Sequence, residues 1–344
     1  MTTARSQLVD VNVTRYYHCI SRCTRKALLL GEGSEHRKQW IEDRLQTLSG
    51  AFAVSVCGFA VMDNHLHVLV RLDPDAANDW SAEDVVRRWL LAYPPKSADG
   101  QVLEVPQARI EDLASDEQRV EVLRARLSNL GWFMKALKEP LARLANKEDD
   151  CKGAFWEARF KSIAILDDEA LLATCAYIDL NPVAAGLAAT PETSPHTSVH
   201  QRVQHAAARG KLKDLKAAAS GSVAGSRAAG AVEEDLWLCP IEDRRREGSQ
   251  REGLLEGFSL GSYLLLVDYT SRLCRQGKAR VSRELASILD RLGTSDEVWG
   301  QRIQRLLGKT RLMGSYFSTD RQRLRQIAQQ RGVHHLDNVA ASPA

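Results

Sequence analysis

The chain of 344 residues is 44% hydrophobic and 26% charged, and its 47 Lys and Arg nearly balance its 44 Asp and Glu, for a net charge of +3. This is the composition of a globular protein of about two domains. It excludes a uniformly basic surface, so a nucleic-acid site would be a local patch. No apolar run approaches the ~20 residues that cross a bilayer, and the N-terminus lacks a signal peptide's apolar segment. We therefore expect a cytoplasmic protein with no membrane partner.

The first part of the chain predicts strands around one helix. Residues 13–23 are rich in β-branched and aromatic residues and predict a first strand. Residues 34–50 place apolar side chains at helical spacing between an N-cap serine and a closing glycine, which predicts a helix. Two further strands, 51–62 and 65–72, flank a short polar turn and form a hairpin.

An insertion and a second group of elements follow. Residues 73–114 contain Pro, Asp and Ser clusters around a short helix, which indicates an insertion. Residues 116–147 continue as helix, with a break or kink expected near Gly131 and Pro140. A fourth strand over 154–166 and a helix over 167–180 complete the series. We expect Pro182 to end that helix.

This order of elements predicts an α+β fold. It matches a ferredoxin-like antiparallel sheet with helices on one face, which leaves the other face available for a site. This domain would span residues 1–205. Residues 206–256 are rich in Ala, Gly, Ser and Lys and predict a linker, and residues 257–344 predict a small helical C-terminal domain.

The third strand carries two histidines on one face. His65 and His67 are two residues apart, so their side chains project from the same side of a strand, roughly 7 Å apart at the backbone. Two imidazoles so placed can converge on one metal ion. By itself the motif is weak, and a histidine pair satisfied in the core or at the surface remains an alternative.

A second pair of polar side chains lies on the last predicted helix. Tyr177 and Asn181 are spaced i and i+4, which brings them to one helix face within about 6 Å. In isolation, the tyrosine could simply pack with its hydroxyl at the rim. Asn181, which precedes a proline, could be an ordinary helix-end residue.

Five segments in this order resemble motifs of the REP-associated tyrosine transposases, which are single-tyrosine HUH transposases of the IS200-like family. The resemblance covers residues 13–205. The segments are YYHCISRCTRKALLL, MDNHLHVLV, GAFWEARFKSIAIL, YIDLNPVAAGL and SPHTSVHQR. Two positions depart from the family pattern: Ala184 stands where a basic residue is frequent, and Cys23 where glycine is common.

The resemblance implies an HUH endonuclease core and its chemistry. His65 and His67 would be metal ligands, Asn181 a third ligand and Tyr177 the nucleophile. Two imidazoles and an amide oxygen with open positions suit Mg²⁺ or Mn²⁺. Attack by the tyrosine on single-stranded DNA would leave a 5′-phosphotyrosine and a free 3′-hydroxyl. The implied protein is an endonuclease and strand transferase, a transposase that acts at DNA hairpins.

Basic residues near these motifs are candidates for DNA contact, although each could equally belong to a solvated charged face. They are Arg15, Arg22, Arg25 and Lys26 near the first strand, and Arg159 and Lys161 on the fourth. The last two are favoured over the others, because both lie within a matched motif and would share one face of that strand. We interpret His18 in the first strand as a buried residue. The protein could be a monomer or a homodimer, with Tyr177 acting within its own subunit or across a dimer.

Two other functions remain open. A domesticated protein could use the same surface to bind DNA hairpins without cutting them. An RNA-binding ferredoxin-like module is the third possibility, but the aromatic signature of the commonest such module is missing from the sequence.

Overall fold

The computed structural model describes residues 9–214, 231–243, 253–276, 295–307 and 315–330. The strands are β1 (Tyr16–Arg22), β2 (Val54–Val61), β3 (His65–Leu72), β4 (Lys161–Ile165), β5 (Glu242–Asp243), β6 (Leu255–Glu256) and β7 (Tyr316–Phe317). The helices are α1 (His36–Ala51), α2 (Pro74–Asn78), α3 (Ala82–Ala92), α4 (Gln107–Ala114), α5 (Glu117–Leu127), α6 (Leu130–Glu148), α7 (Asp168–Ala184), α8 (Ser198–Ala208), α9 (Leu260–Gln276), α10 (Asp296–Leu307) and α11 (Arg321–Gln330). The fold is therefore mixed α+β.

A five-stranded sheet organises these elements, in the order β2-β3-β1-β4-β7. Its first four strands pair antiparallel, and β7 adds a short parallel pairing to β4. The β2–β3 hairpin turns at residues 63 and 64, where the polar turn was predicted. Strands β5 and β6 form a separate two-stranded pairing.

Helices cover both faces of this sheet, so the prediction of one open face is wrong. Leu66, Val68 and Val70 of β3 join the core that contains α1 and α6, whereas Leu69 joins the core that contains α7. Helix α7 has 13 buried residues out of 17. A helix that is apolar around its circumference must be covered on all sides. Here the sheet lies on one side of α7, and α9 and α10 pack against it as well.

The boundaries of several elements also differ from the prediction. Pro182 lies inside α7, which runs on to Ala184. The helix closes instead at Gly186, which has a φ of 73° and allows the amide of Leu187 to donate to the carbonyl of Pro182 at 2.8 Å. Strand β4 is shorter than predicted and begins only at Lys161.

The predicted helix over 116–147 is two helices. They meet at residues 128 and 129, where the side chain of Asn129 accepts hydrogen bonds from the first amides of α6. The helix was expected to break near Gly131 and Pro140, but both lie within α6. In the insertion, the predicted short helix is present as α3 and begins with a capping box at Ser81.

The described residues after 205 do not form a separate unit. Residues 231–243, predicted as linker, bury Val232, Leu236 and Leu238 in the two cores. Helices α9 and α10 pack on α7, and β7 extends the main sheet. The apolar side chains of this region complete cores that the first 205 residues leave incomplete. The rest of the predicted linker, 215–230 and 244–252, lies outside the described residues.

None of the helices in the described ranges has the length and apolar character needed to span a membrane.

A buried ion pair fixes residues 231–243 to α8, and its loss should destabilise the fold. Arg202 donates to Glu233 at 2.6 Å, with side chains 1% and 3% exposed, and also to the carbonyls of Cys57 and Cys239. We expect Glu233→Gln to lower the free energy of unfolding by about 3–5 kcal/mol, because it leaves a buried guanidinium uncompensated. Urea denaturation measures this loss.

The matched control is the exposed pair formed by Arg209 and Asp235, whose carboxylate side chain is 86% exposed. We expect Asp235→Asn to change the free energy of unfolding by less than about 1 kcal/mol. Equal losses in the two variants would show that the buried pair does not anchor the segment.

Candidate active site

Strand alternation places three histidines on the sheet face that α7 covers. His65 and His67 of β3 project there together, with ring centroids 4.8 Å apart. In the adjacent strand β1, His18 projects to the same face. The pairing of Ile20 with His67 makes His18 and His67 diagonal neighbours across the two strands.

Helix α7 brings the tyrosine onto this histidine cluster. The Tyr177 ring centroid lies 5.4 Å from that of His67 and 5.9 Å from that of His18. Asn181 lies one turn further along α7 and donates from Nδ2 to the carbonyl of Tyr177 at 2.8 Å. The structure thus places His65, His67 and Tyr177 together and Asn181 beside the tyrosine.

Hydrogen bonds engage the same ring nitrogen of both predicted ligands. His67 Nδ1 lies 2.9 Å from His18 Nε2, and His65 Nδ1 lies 2.7 Å from the side-chain oxygen of Asn64. His67 Nε2 is buried and has no hydrogen-bond partner among the described residues. Nε2 is therefore the nitrogen through which His67 could coordinate a metal ion.

Burial keeps the three imidazoles neutral. It lowers the pKa of His18 to about 3, with a further contribution from Lys161. It also lowers the pKa of His65 to about 4, aided by Arg22, and that of His67 well below its ordinary value. A neutral imidazole has the lone pair that a metal ligand needs.

The same burial opposes ionisation of the tyrosine. Tyr177 is only 8% exposed, and desolvation raises the pKa of its hydroxyl. The side-chain amide of Asn181 and the positive charge of Arg22 partly offset this increase. A phenol with a raised pKa is a weak nucleophile until further positive charge stabilises its phenolate.

The donor set fits a divalent cation with a mixed coordination sphere. No group of three or more His, Cys, Asp or Glu side chains suited to a metal ion occurs in the part of the chain that the structure describes. The available donors are the imidazoles of His65 and His67 and the amide of Asn181. Because His67 Nε2 is buried without a partner, a cation there would satisfy it. Such a set leaves positions open for phosphate and water.

Three of the predicted DNA-contact residues lie at the same end of the sheet as His65. Arg22 is exposed and lies opposite His65 in the register of β1 and β3. Arg25 and Lys26 are exposed in the short 3₁₀ turn that follows. The carbonyl of Lys26 accepts from Asn64 at 3.2 Å, and the same asparagine contacts His65.

The other predicted contacts are distributed differently. Arg15 pairs with Asp75 at the opposite end of β1, about 20 Å from Arg22 in an extended strand. Lys161 begins β4 opposite Ile20, near the end of the sheet that carries His65, and its positive charge helps to lower the pKa of His18. Arg159 is exposed and precedes β4, so the prediction that Arg159 and Lys161 share a strand face is wrong.

Two residues of the site were not assigned to it from the sequence. His18 contacts both His67 and Tyr177, and Asn64 contacts His65. The sequence signal that could have assigned His18 to the site is the alternation of side chains in β1, which puts His18 and Arg22 on one face. The strand register that brings this face against His67 follows only from the folded sheet.

Comparisons with known proteins give little further information. No family model matches the chain, and no curated protein matches it. Among solved structures, the chain is similar to a REP-associated tyrosine transposase bound to a REP hairpin, at 13% identity and a TM-score of 0.33. The alignment covers 57% of this chain and 81% of that one. This is a distant structural relationship only.

The buried histidines should make the metal-free fold sensitive to acid. The pKa of His18 is about 3 in the folded protein and ~6.5 in an unfolded chain. Between these values only the unfolded chain binds the proton, so the free energy of unfolding falls as pH falls from about 6.5. Each such histidine contributes up to about 1.4 kcal/mol per pH unit.

Urea denaturation at pH 7 and pH 5 with EDTA measures this effect. A His18→Gln, His67→Gln double variant should lose less stability over that interval than the unaltered protein. If both proteins lose the same amount, the two histidines are not buried in the neutral form.

Proposed function

We propose that this protein is a metal-dependent single-stranded DNA endonuclease and strand transferase, a transposase that acts at DNA hairpins. The observation that carries the proposal is the contact of Tyr177 with the histidine cluster, with its ring 5.4 Å from that of His67. The order β2-β3-β1-β4 also supports the proposal, because it sets the histidine-bearing strands β3 and β1 side by side in the sheet. Mg²⁺ or Mn²⁺ would be the cofactor.

In the proposed reaction, the Tyr177 oxygen attacks the phosphorus of a DNA phosphodiester. The phenol loses its proton to solvent, a bond forms between the tyrosine oxygen and phosphorus, and the bond to the 3′-oxygen breaks. The 3′-oxygen takes up a proton and leaves as a hydroxyl. The 5′-phosphotyrosine conserves the bond energy, so a second DNA end can replace the tyrosine. Attack by an activated water molecule would only cut the strand, because no covalent intermediate would form.

Each residue of the site has a role in this step. His65 and His67 would hold the cation through neutral ring nitrogens, and Asn181 would supply an amide oxygen. The cation would polarise the phosphate and stabilise the phenolate. Arg22, whose charge partly offsets the raised pKa of Tyr177, would also attract the phosphate.

DNA would approach from the end of the sheet that carries His65. Arg22, Arg25, Lys26 and Lys161 would contact phosphates there. Arg159, exposed just before β4, could extend this contact. Arg15, at the far end of β1, would reach only a more distant part of the hairpin.

Binding of DNA hairpins without cleavage is the alternative, and one observation favours it. The nucleophile is 8% exposed and its pKa is raised, which suits a packed phenol better than a reactive one. On this alternative, the basic residues hold the hairpin and the histidine cluster is a remnant of catalysis.

A covalent protein–DNA complex would decide between the two functions. We expect labelled single-stranded hairpin oligonucleotides from the DNA that flanks the gene to yield, with Mg²⁺ or Mn²⁺, a protein-linked band on denaturing gels. The band should disappear with EDTA. It should also disappear in Tyr177→Phe, which removes the attacking oxygen and retains the ring.

A second tyrosine serves as the matched control. Tyr93 lies on the opposite side of the sheet, where it is partly buried against the core that contains α1 and α6. Tyr93→Phe should leave the band intact. Hairpins that bind in native gels without a covalent band in either metal would contradict cleavage and support the binding protein.

Mixing inactive variants tests whether one site needs two subunits. We expect Tyr177→Phe alone and His65→Ala, His67→Ala alone to give no band, because each lacks one half of the site. If the tyrosine acts across a homodimer, their mixture should regain part of the covalent product, measured on the same gels. A mixture as inactive as its components would assign the reaction to a single subunit.

A further inference from the structure

We propose that His18 is a positioning residue for the metal ligand His67. It would accept a hydrogen bond from His67 Nδ1 and so keep the lone pair of His67 on Nε2, where a cation can bind it. This inference rests on the proposed function, because it assumes that His67 is a ligand.

The contact between the two rings is direct and enclosed. His18 Nε2 lies 2.9 Å from His67 Nδ1, and the ring centroids are 5.1 Å apart with 29° between the ring planes. Both side chains are 2% exposed. Tyr177 packs against both rings edge-on. The strand pairing and this tyrosine thus hold His18 in one place, as a positioning residue requires.

The number of protons on the two rings limits the direction of this hydrogen bond. Each neutral imidazole carries one proton, so either His18 donates to His67 or His67 donates to His18. If His18 donates, His67 carries its proton on Nε2, which is a buried atom without a partner. A buried donor without a partner is unfavourable, and it also cannot bind a cation. If His67 donates, Nε2 presents a lone pair.

The second arrangement leaves the proton of His18 on its own Nδ1. A cavity of about 10 Å³, lined in part by His18, Thr174 and Tyr177, adjoins this ring. That volume is at the lower limit for one water molecule, and the other four lining residues, Ile163, Ile165, Leu306 and Phe317, are apolar. The direction of the hydrogen bond therefore follows from the environment of His67 Nε2.

His65, the neighbouring ligand, has the same arrangement. Its partner, Asn64, leaves only one direction for the hydrogen bond. Asn64 donates from Nδ2 to the carbonyl of Lys26 at 3.2 Å, which directs its amide oxygen toward His65 Nδ1 at 2.7 Å. An amide oxygen only accepts, so His65 carries its proton on Nδ1. Both ligands would then present Nε2 to a shared cation, and His18 would do for His67 what Asn64 does for His65.

Substitutions at His18 separate positioning from packing. His18→Gln places an amide oxygen where Nε2 accepts, whereas His18→Leu fills the space without an acceptor. We expect Mn²⁺, titrated calorimetrically into the full-length metal-free protein, to bind His18→Leu about 10–100-fold more weakly than the unaltered protein. His18→Gln should recover most of that loss.

Thermal unfolding of each variant checks the fold. If His18→Leu does not fold, His18→Asn replaces it, because its shorter amide does not reach the Nε2 position. His18→Asn should bind Mn²⁺ as weakly as we expect His18→Leu to bind it. Nitrogen-15 NMR of the metal-free protein gives a second readout, in which His67 should show a protonated Nδ1 and an unprotonated Nε2.

The outcomes distinguish this inference from the function on which it rests. Unchanged Mn²⁺ affinity in the variant without an acceptor, or a His67 proton on Nε2 in the metal-free protein, would overturn the role of His18 alone. No Mn²⁺ binding by the unaltered protein, or equal binding by His65→Ala, His67→Ala, would overturn the metal site and the role of His18 together.

Discussion

Burial of α7 against the histidine-bearing face of the sheet is the constraint on which the site depends. The helix brings Tyr177 to His67, and the same contact removes both side chains from water. An apolar helix is held there by the hydrophobic effect, which has no directional preference of its own. The direction comes from polar contacts that fix its position and rotation.

Asp179 supplies the main polar contact. It is 1% exposed and lies on α7 between Tyr177 and Asn181. Its carboxylate accepts from Ser198 at 2.6 Å, from the amide of Val199 at 3.0 Å, and from the hydroxyl of Tyr263. Two residues from each of them along the helix, Asp179 projects from the side of α7 opposite Tyr177 and Asn181. Helices α8 and α9 therefore hold α7 from behind the site, and Tyr263, far beyond the motifs, helps to position Tyr177.

Desolvation has opposite consequences for the two halves of the proposed chemistry. It favours neutral imidazoles, which can bind a cation, and it disfavours the phenolate that would attack DNA. A divalent cation would reconcile the two, because its charge stabilises phenolate and phosphate in a site that is dry enough for that charge to act strongly.

The sequence alone determined the elements with a clear period and the residues that share their faces. Alternation gave β3 and the common face of His65 and His67, and helical spacing gave the common face of Tyr177 and Asn181. Tertiary structure decided that α7 covers this face, that α7 passes through Pro182, and that residues 231–243 belong to the cores. It also decided the contact of His18 with His67, which is set by strand register. Periodicity is local and can be read along one chain, whereas register and helix packing depend on groups that are distant in sequence.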